Sequence, residues 1–193
     1  MNSRSARLAI TLMLTVSACS LFQDRPFSPA LHDFGSNEKL TATQSGDSKA
    51  TTWSTVSVEA PEWLQNEDIR YRLLYADPTR VRFYAQDRWL ASPSSMLAQR
   101  LSIVNGGQGW RLKIRLLEFE QVFDEPQSAR VILAFRASVL RPASEEIVGE
   151  KLFSLSLSSS TADAKGAVTA SAILVDDALS TLQTWFKELP ALI

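Results

Sequence analysis

Trp110-Arg111-Leu112-Lys113-Ile114-Arg115-Leu116-Leu117-Glu118-Phe119-Glu120 alternates apolar and charged side chains as far as Leu116 and then slips by one residue. A period of two is that of a strand with one face in a core and the other in water. The slip at Leu116-Leu117 predicts a β-bulge, because one inserted residue lets the alternation resume on the same face. Two later segments repeat the pattern, with Val131, Leu133, Phe135, Ala137 and Val139 marking one and Phe153, Leu155 and Leu157 the other. The links between them, Asp124-Glu125-Pro126 and Pro142-Ala143-Ser144, are too short for a crossover, so the three strands form an antiparallel meander.

Helices flank the meander. Ser92 and Pro93 fit an N-cap and a first helical position, and Met96, Leu97, Leu101 and Val104 follow on one helical face until Asn105-Gly106-Gly107 ends it. Downstream, Val168, Ala172, Val175, Leu179, Leu182 and Phe186 recur at spacings of three and four, and Pro190 closes that helix. Upstream, Thr52 to Glu59 reads as a strand stopped by Pro61. Ile69 to Tyr75 and Thr79 to Tyr84 read as a hairpin across Ala76-Asp77-Pro78. Pro29 to Gly35 is short enough for an edge strand. The expected fold is α+β: a mostly antiparallel sheet with two helices packed on one face.

The N-terminus reads as an export signal. Arg4 and Arg7 precede the apolar run Leu8–Val16, and Ser17-Ala18 supply small residues before Cys19. Nine residues are too few to span a bilayer, which takes ~20. Val16-Ser17-Ala18-Cys19 resembles the lipobox of bacterial lipoproteins. That resemblance implies removal of residues 1–18, acylation of Cys19, an acylated tether over 19–28 and a single domain over 29–193. Ser20 follows the cysteine where aspartate is the inner-membrane retention signal of enteric-type bacteria. By that sorting rule the protein sits at the periplasmic face of the outer membrane. Cys19 is the chain's one cysteine, so no internal disulfide can form and the core must hold by packing.

Removing residues 1–18 takes away two arginines and no acid, leaving 18 basic against 21 acidic side chains and a net charge of −3. That balance argues against nucleic-acid binding, which shows as a basic excess. The chemistry-bearing residues are sparse. His32 is the one histidine; it is read as a surface or edge-strand residue rather than a triad base, and with one acylated cysteine it cannot supply a zinc set. Gly106-Gly107-Gln108-Gly109 lacks the Lys-Ser/Thr of a phosphate loop and is read as a turn. Asp176-Asp177 and Asp124-Glu125 are adjacent pairs, read as solvent-facing charge. No catalytic residues, metal or cofactor are expected.

Arginine is the distinctive residue. Eleven of the fourteen arginines lie between Arg70 and Arg141, and several stand two or four apart: Arg70/Arg72, Arg80/Arg82 and Arg111/Arg115. On strands those spacings put each pair on one face and predict an arginine-rich outer sheet face. Two readings of it stand: a solvated face balanced by neighbouring acids, or a docking surface for an acidic partner or anionic lipid headgroups, whose oxygens match guanidinium forks. Arg88-Trp89 combines two residue types common at interface hot spots. The candidate contact residues are therefore Arg88, Trp89, Arg70, Arg72, Arg80 and Arg82, with burial of Trp89 against the first helix as the alternative for that side chain.

Several of these segments resemble one family. Pro61-Glu62-Trp63-Leu64, the strand from Ile69, Tyr84, Asp87-Arg88-Trp89 and the helix around Met96-Leu97 are similar to the auxiliary lipoproteins of ABC-type transport systems, which include the PqiC lipoproteins. Arg115-Leu116-Leu117-Glu118-Phe119-Glu120, the Ala-rich last helix ending at Trp185 and the opening His32-Asp33-Phe34-Gly35 agree with it, so the likeness spans most of residues 29–187. The chain departs from the pattern at Ser92-Pro93-Ser94. The resemblance implies a non-catalytic, lipid-anchored periplasmic partner of an ABC importer or exporter. Such systems often pair a permease and an ATPase with an MCE-domain protein and move lipids or hydrophobic solutes. It carries over no site residue except Cys19 and leaves homo-oligomers open. Two other classes stay open: an envelope-assembly lipoprotein supporting a cell-wall synthase or secretion machine, and a carrier with an apolar cavity between sheet and helices.

Overall fold

A computed structural model describes residues 28–36, 53–102 and 109–190. In chain order the elements are β1 (Ala30–His32), β2 (Thr55–Glu59), a 3-10 turn (Glu62–Leu64), β3 (Asp68–Leu73), β4 (Asp77–Trp89), α1 (Pro93–Ser102), β5 (Arg111–Glu125), β6 (Ser128–Leu140), β7 (Ile147–Ser158) and α2 (Ala164–Lys187). The signal peptide, Cys19, the tether and the Asn105-Gly106-Gly107 helix stop lie outside the described residues.

The meander forms as its alternation predicts. β5 pairs antiparallel with β6 from Arg111↔Leu140 to Glu125↔Ser128, and β6 pairs antiparallel with β7. The register shifts between Leu116 and Glu118, where the apolar pattern slips. Its effect is to keep Leu112, Ile114, Leu116 and Phe119 all in the core although the strict period of two is broken. Ala143 turns the β6–β7 connection with φ of 52°.

The rest of the seven-stranded sheet is not a meander. Its order is β1-β4-β3-β5-β6-β7, with β2 also on β5. β2 and β3 both run parallel to β5, β2 along Arg111–Arg115 and β3 along Gln121–Phe123. The chain thus lies twice along one edge of β5 and leaves it between Pro61 and Glu67, where the Leu64 N–H donates to the Pro61 carbonyl (2.9 Å). β3 and β4 form the expected hairpin, with Ala76 N–H bonded to the Leu73 carbonyl and Pro78 already in β4. A proline is tolerated there because no strand among the described residues pairs with β4 on its other side at that point. β4 continues to Trp89, five residues beyond Tyr84, and β1 pairs parallel with its end as an edge strand. Antiparallel ladders still carry most of the sheet.

Both helices lie on one face. Leu97 and Leu101 of α1 meet Ile114, Phe135 and Ala178, Leu179 and Leu182 of α2 around a gap of only about 10 Å³, room for one water at most. Trp53, fully buried ahead of β2, stacks edge-on to Phe186 at 5.5 Å and donates its indole N–H to the Leu101 carbonyl. Ser92 caps α1 through its Oγ, accepting from Ser95 N–H at 3.3 Å, and Asp163 caps α2.

Candidate docking surface

The opposite face of the sheet carries no helix among the described residues. Pairing Arg70 with Phe83 and Arg72 with Val81 puts both arginines of β3 on it. The same register puts Arg82 opposite Tyr71, whose ring packs on Tyr84 and Phe123 on the helix side. Arg82 therefore faces away from Arg70 and Arg72, while Arg80 falls in the register shift between Val81 and Asp77 and has no strand partner. The expectation of one arginine-rich outer face holds for Arg70/Arg72 and fails for Arg82, because antiparallel partners share a face and Arg82 is partnered with Tyr71.

Neighbouring acids account for most of the arginines. Seven of the eleven between Arg70 and Arg141 lie within ion-pair distance of a carboxylate: Arg72–Glu120, Arg88–Asp68, Arg100–Asp176, Arg111–Glu145, Arg130–Asp124, Arg136–Glu150 and Arg141–Glu146. Arg72 is bound on all sides, forking onto Glu120 at 2.9 and 3.3 Å and donating to the Pro78 and Thr79 carbonyls. Asp176 and Asp124, expected as plain solvent-facing charge, each hold one of these arginines.

Arg70, Arg80, Arg82 and Arg115 have no carboxylate within ion-pair distance among the described residues. Arg70 is the one built into a site. Its Nη1 donates to the Trp63 carbonyl at 2.7 Å, its guanidinium lies 6.0 Å from the Phe83 ring centre, and its buried Nε has no partner. Burial holds this guanidinium below its ordinary pKa, with Glu120 pulling it back up. Beside it Trp63 is 60 % exposed, and Leu117 at the bulge and Leu152 of β7 stand open to solvent. Together with Arg72 and Glu120 they line an open depression of about 340 Å³. The break between β2 and β3 makes this site: the chain leaves β5 at the bulge and presents Trp63 outward.

Trp89 is corrected as a contact candidate. It is 2 % exposed and packs edge-on to Phe34 at 5.5 Å and against Phe119 at 5.8 Å, so it offers no surface to a partner. Strand alternation turns its neighbour Arg88 the other way, into solvent beside Asp68. His32 lies on the edge strand, with Nε2 2.8 Å from Asp87 Oδ1. Among the described residues no three His, Cys, Asp or Glu side chains converge on a metal-sized site, and no helix is long and apolar enough to cross a membrane.

No family model and no curated protein matches the chain. A crystal structure of the Xanthomonas campestris protein XCC0632, of the DUF330 family model, superposes with a TM-score of 0.61 at 15% identity, covering 82% of this chain and 90% of that one. The fold is shared with that DUF330 protein. A second crystal structure, of an uncharacterized protein, gives a TM-score of 0.60 at 11% identity over 81% of this chain and 97% of the other. At such identities the likeness is one of fold. A minor lipoprotein from Acinetobacter baumannii overlaps 70% of this chain and 92% of its own, at 10% identity, with a TM-score of 0.37, too low to carry an argument.

Sequence reasoning found Arg70 but not its surroundings. Trp63 entered only as part of a turn motif, and Leu117 only as a slip in a pattern. The signal that would have joined them is an aromatic two residues after the proline that ends one strand, followed by a second strand bound for the same neighbour.

Proposed function

We propose that this chain is a non-catalytic, lipid-anchored accessory subunit of an ABC-type transport system, held at the periplasmic face of the outer membrane through acylated Cys19. Its task is docking and scaffolding. The observation that carries this reading is the helix-free sheet face, where Trp63, Leu117 and Leu152 surround Arg70. Exposed tryptophan beside a partly desolvated arginine is the composition of an interface hot spot. Arg70 and Arg115 favour an acidic or carbonyl-rich partner surface, and the resemblance of the sequence points to an MCE-domain protein, with its permease and ATPase, as the assembly. Close packing where α1, α2 and the sheet meet, with a gap of only about 10 Å³, favours docking over carriage at that position.

A photo-crosslinking residue at position 63, expressed in the native cell, tests the proposal. Adducts identified as an MCE-domain protein or a permease, absent from a control with the crosslinker at Thr181 on the exposed side of α2, support it. Adducts with a cell-wall synthase or a secretion component would move the chain to that class instead.

A further inference from the structure

A second open feature lies at the β1 edge of the sheet, where that edge meets α2. Leu31 of β1, Leu90 just after β4 and Ile173 of α2 are 59 %, 57 % and 49 % exposed, and with Val168 and Ala172 they line an open groove of about 530 Å³. The three exposed side chains come from three separate elements. Exposed apolar patches of this kind mark contact surfaces. The polar lining is already engaged or neutral: His32 is bonded to Asp87, Asp33 accepts the Gly35 N–H, and Thr169 completes it. Among the described residues no lysine or arginine lines the groove, so that lining offers no cation to a phosphate or an acidic partner.

We infer that this groove rests on the bilayer, with Leu31, Leu90 and Ile173 inserted among the lipid chains. The inference rests on the lipid anchor of the proposed function. What selects a bilayer as the occupant is the route of the chain. Leu31 lies three residues after Ser28, and the ten residues from Cys19 to Ser28 reach at most ~35 Å when fully extended. A surface at the root of so short a tether meets the membrane at high effective concentration, without the domain having to turn over. Insertion at this edge leaves the depression around Trp63, Arg70 and Leu152, which shares no residue with the groove, available to a protein partner. Because the contact is apolar, it requires no anionic lipid and is insensitive to salt, unlike a basic patch on a charged surface.

The test uses the full mature chain, acylated and reconstituted into phosphatidylcholine vesicles. With Cys19 acylated, a single introduced cysteine is the one free thiol. Leu90→Cys and Ile173→Cys, and Thr169→Cys as a second groove position in case either fails to fold, carry an environment-sensitive fluorophore. Leu152→Cys on the docking face is the control. The expected result is a blue shift and at least two-fold quenching by lipids with a spin label on the acyl chain at the groove positions, unchanged by 0.5 M salt (about three times the physiological level), with water-like emission at position 152. Water-like emission at the groove positions of protein that floats with the vesicles overturns the inference and leaves the anchor standing. A shift that needs no vesicles and grows with protein concentration overturns it in favour of a second copy in the groove. Protein that does not float overturns the anchor and the inference together.

Discussion

Arg100 of α1 donates from Nη2 to Oδ1 of Asp176 in α2 at 2.6 Å, and from Nη1 to the carbonyl of Gly35 at 2.9 Å. One buried guanidinium thus ties both helices to the segment that follows the edge strand. A buried cation is costly unless paired, so the acid matters more than its partly exposed position indicates. Asp176→Ala is expected to lower stability by about 2 kcal/mol, the scale of a charge-assisted hydrogen bond lost from a buried group. Arg100→Met, which removes the charge but keeps an unbranched apolar side chain in the buried space, should cost less than Arg100→Ala. Urea unfolding of the variants measures both; an Asp176→Ala effect within ~0.5 kcal/mol, the range of ordinary surface changes, would contradict the role.

The start of α2 is fixed by Asp163, whose carboxylate accepts the Gly166 N–H at 2.8 Å and the Thr161 hydroxyl at 2.6 Å. Asp163→Ala should cost about 1 kcal/mol near neutral pH. The Thr161 bond and then the Gly166 bond hold the carboxyl below its ordinary pKa. The stabilisation is therefore present above the unfolded-state value of about 3.9 and is lost as pH falls through the lower folded value. Thermal melts at pH 7 and below pH 3 should show the gap between wild type and variant closing in acid.

Gly166 itself opposes helix propensity. Alanine is the better helix former by ~1 kcal/mol, yet a Cβ at this position would collide with the Thr161 carbonyl oxygen. Gly166→Ala should therefore destabilise the protein, and a raised melting temperature would show that the cap relaxes freely.

The two tryptophans near the hairpin separate packing from contact. Trp89→Ala empties a core site bounded by Phe34 and Phe119 and should cost ~3–5 kcal/mol. Trp63→Ala, alone or with Arg70→Ala, should leave stability within ~0.5 kcal/mol while cutting partner recovery about tenfold, equivalent to ~1.4 kcal/mol. Melting curves and quantitative crosslinking separate the two. The reverse pattern would place the contact surface elsewhere.

How much of this was legible in the sequence depends on range. The β5–β7 meander, the bulge after Leu116, both helices and the Ser92 cap follow from periodicity and capping within a few residues, and each is present. Parallel pairing of β1 with β4, and of β2 and β3 with β5, leaves no local mark, since the same alternation serves either orientation. The face of Arg82 depended on the register of β4 against β3, where a one-residue change moves every side chain to the other face. Trp89 was closer to reach. Once β4 is extended to position 89, Arg88 and Trp89 must point oppositely and cannot share a contact patch.

Everything proposed here presupposes that Cys19 is acylated. Labelling cells with radioactive or alkyne-tagged palmitate and comparing wild type with Cys19→Ala measures this directly. Wild type should carry label and fractionate with outer membranes, and Cys19→Ala should lose both. Equal labelling of the two proteins, or none in either, would contradict the anchored docking domain.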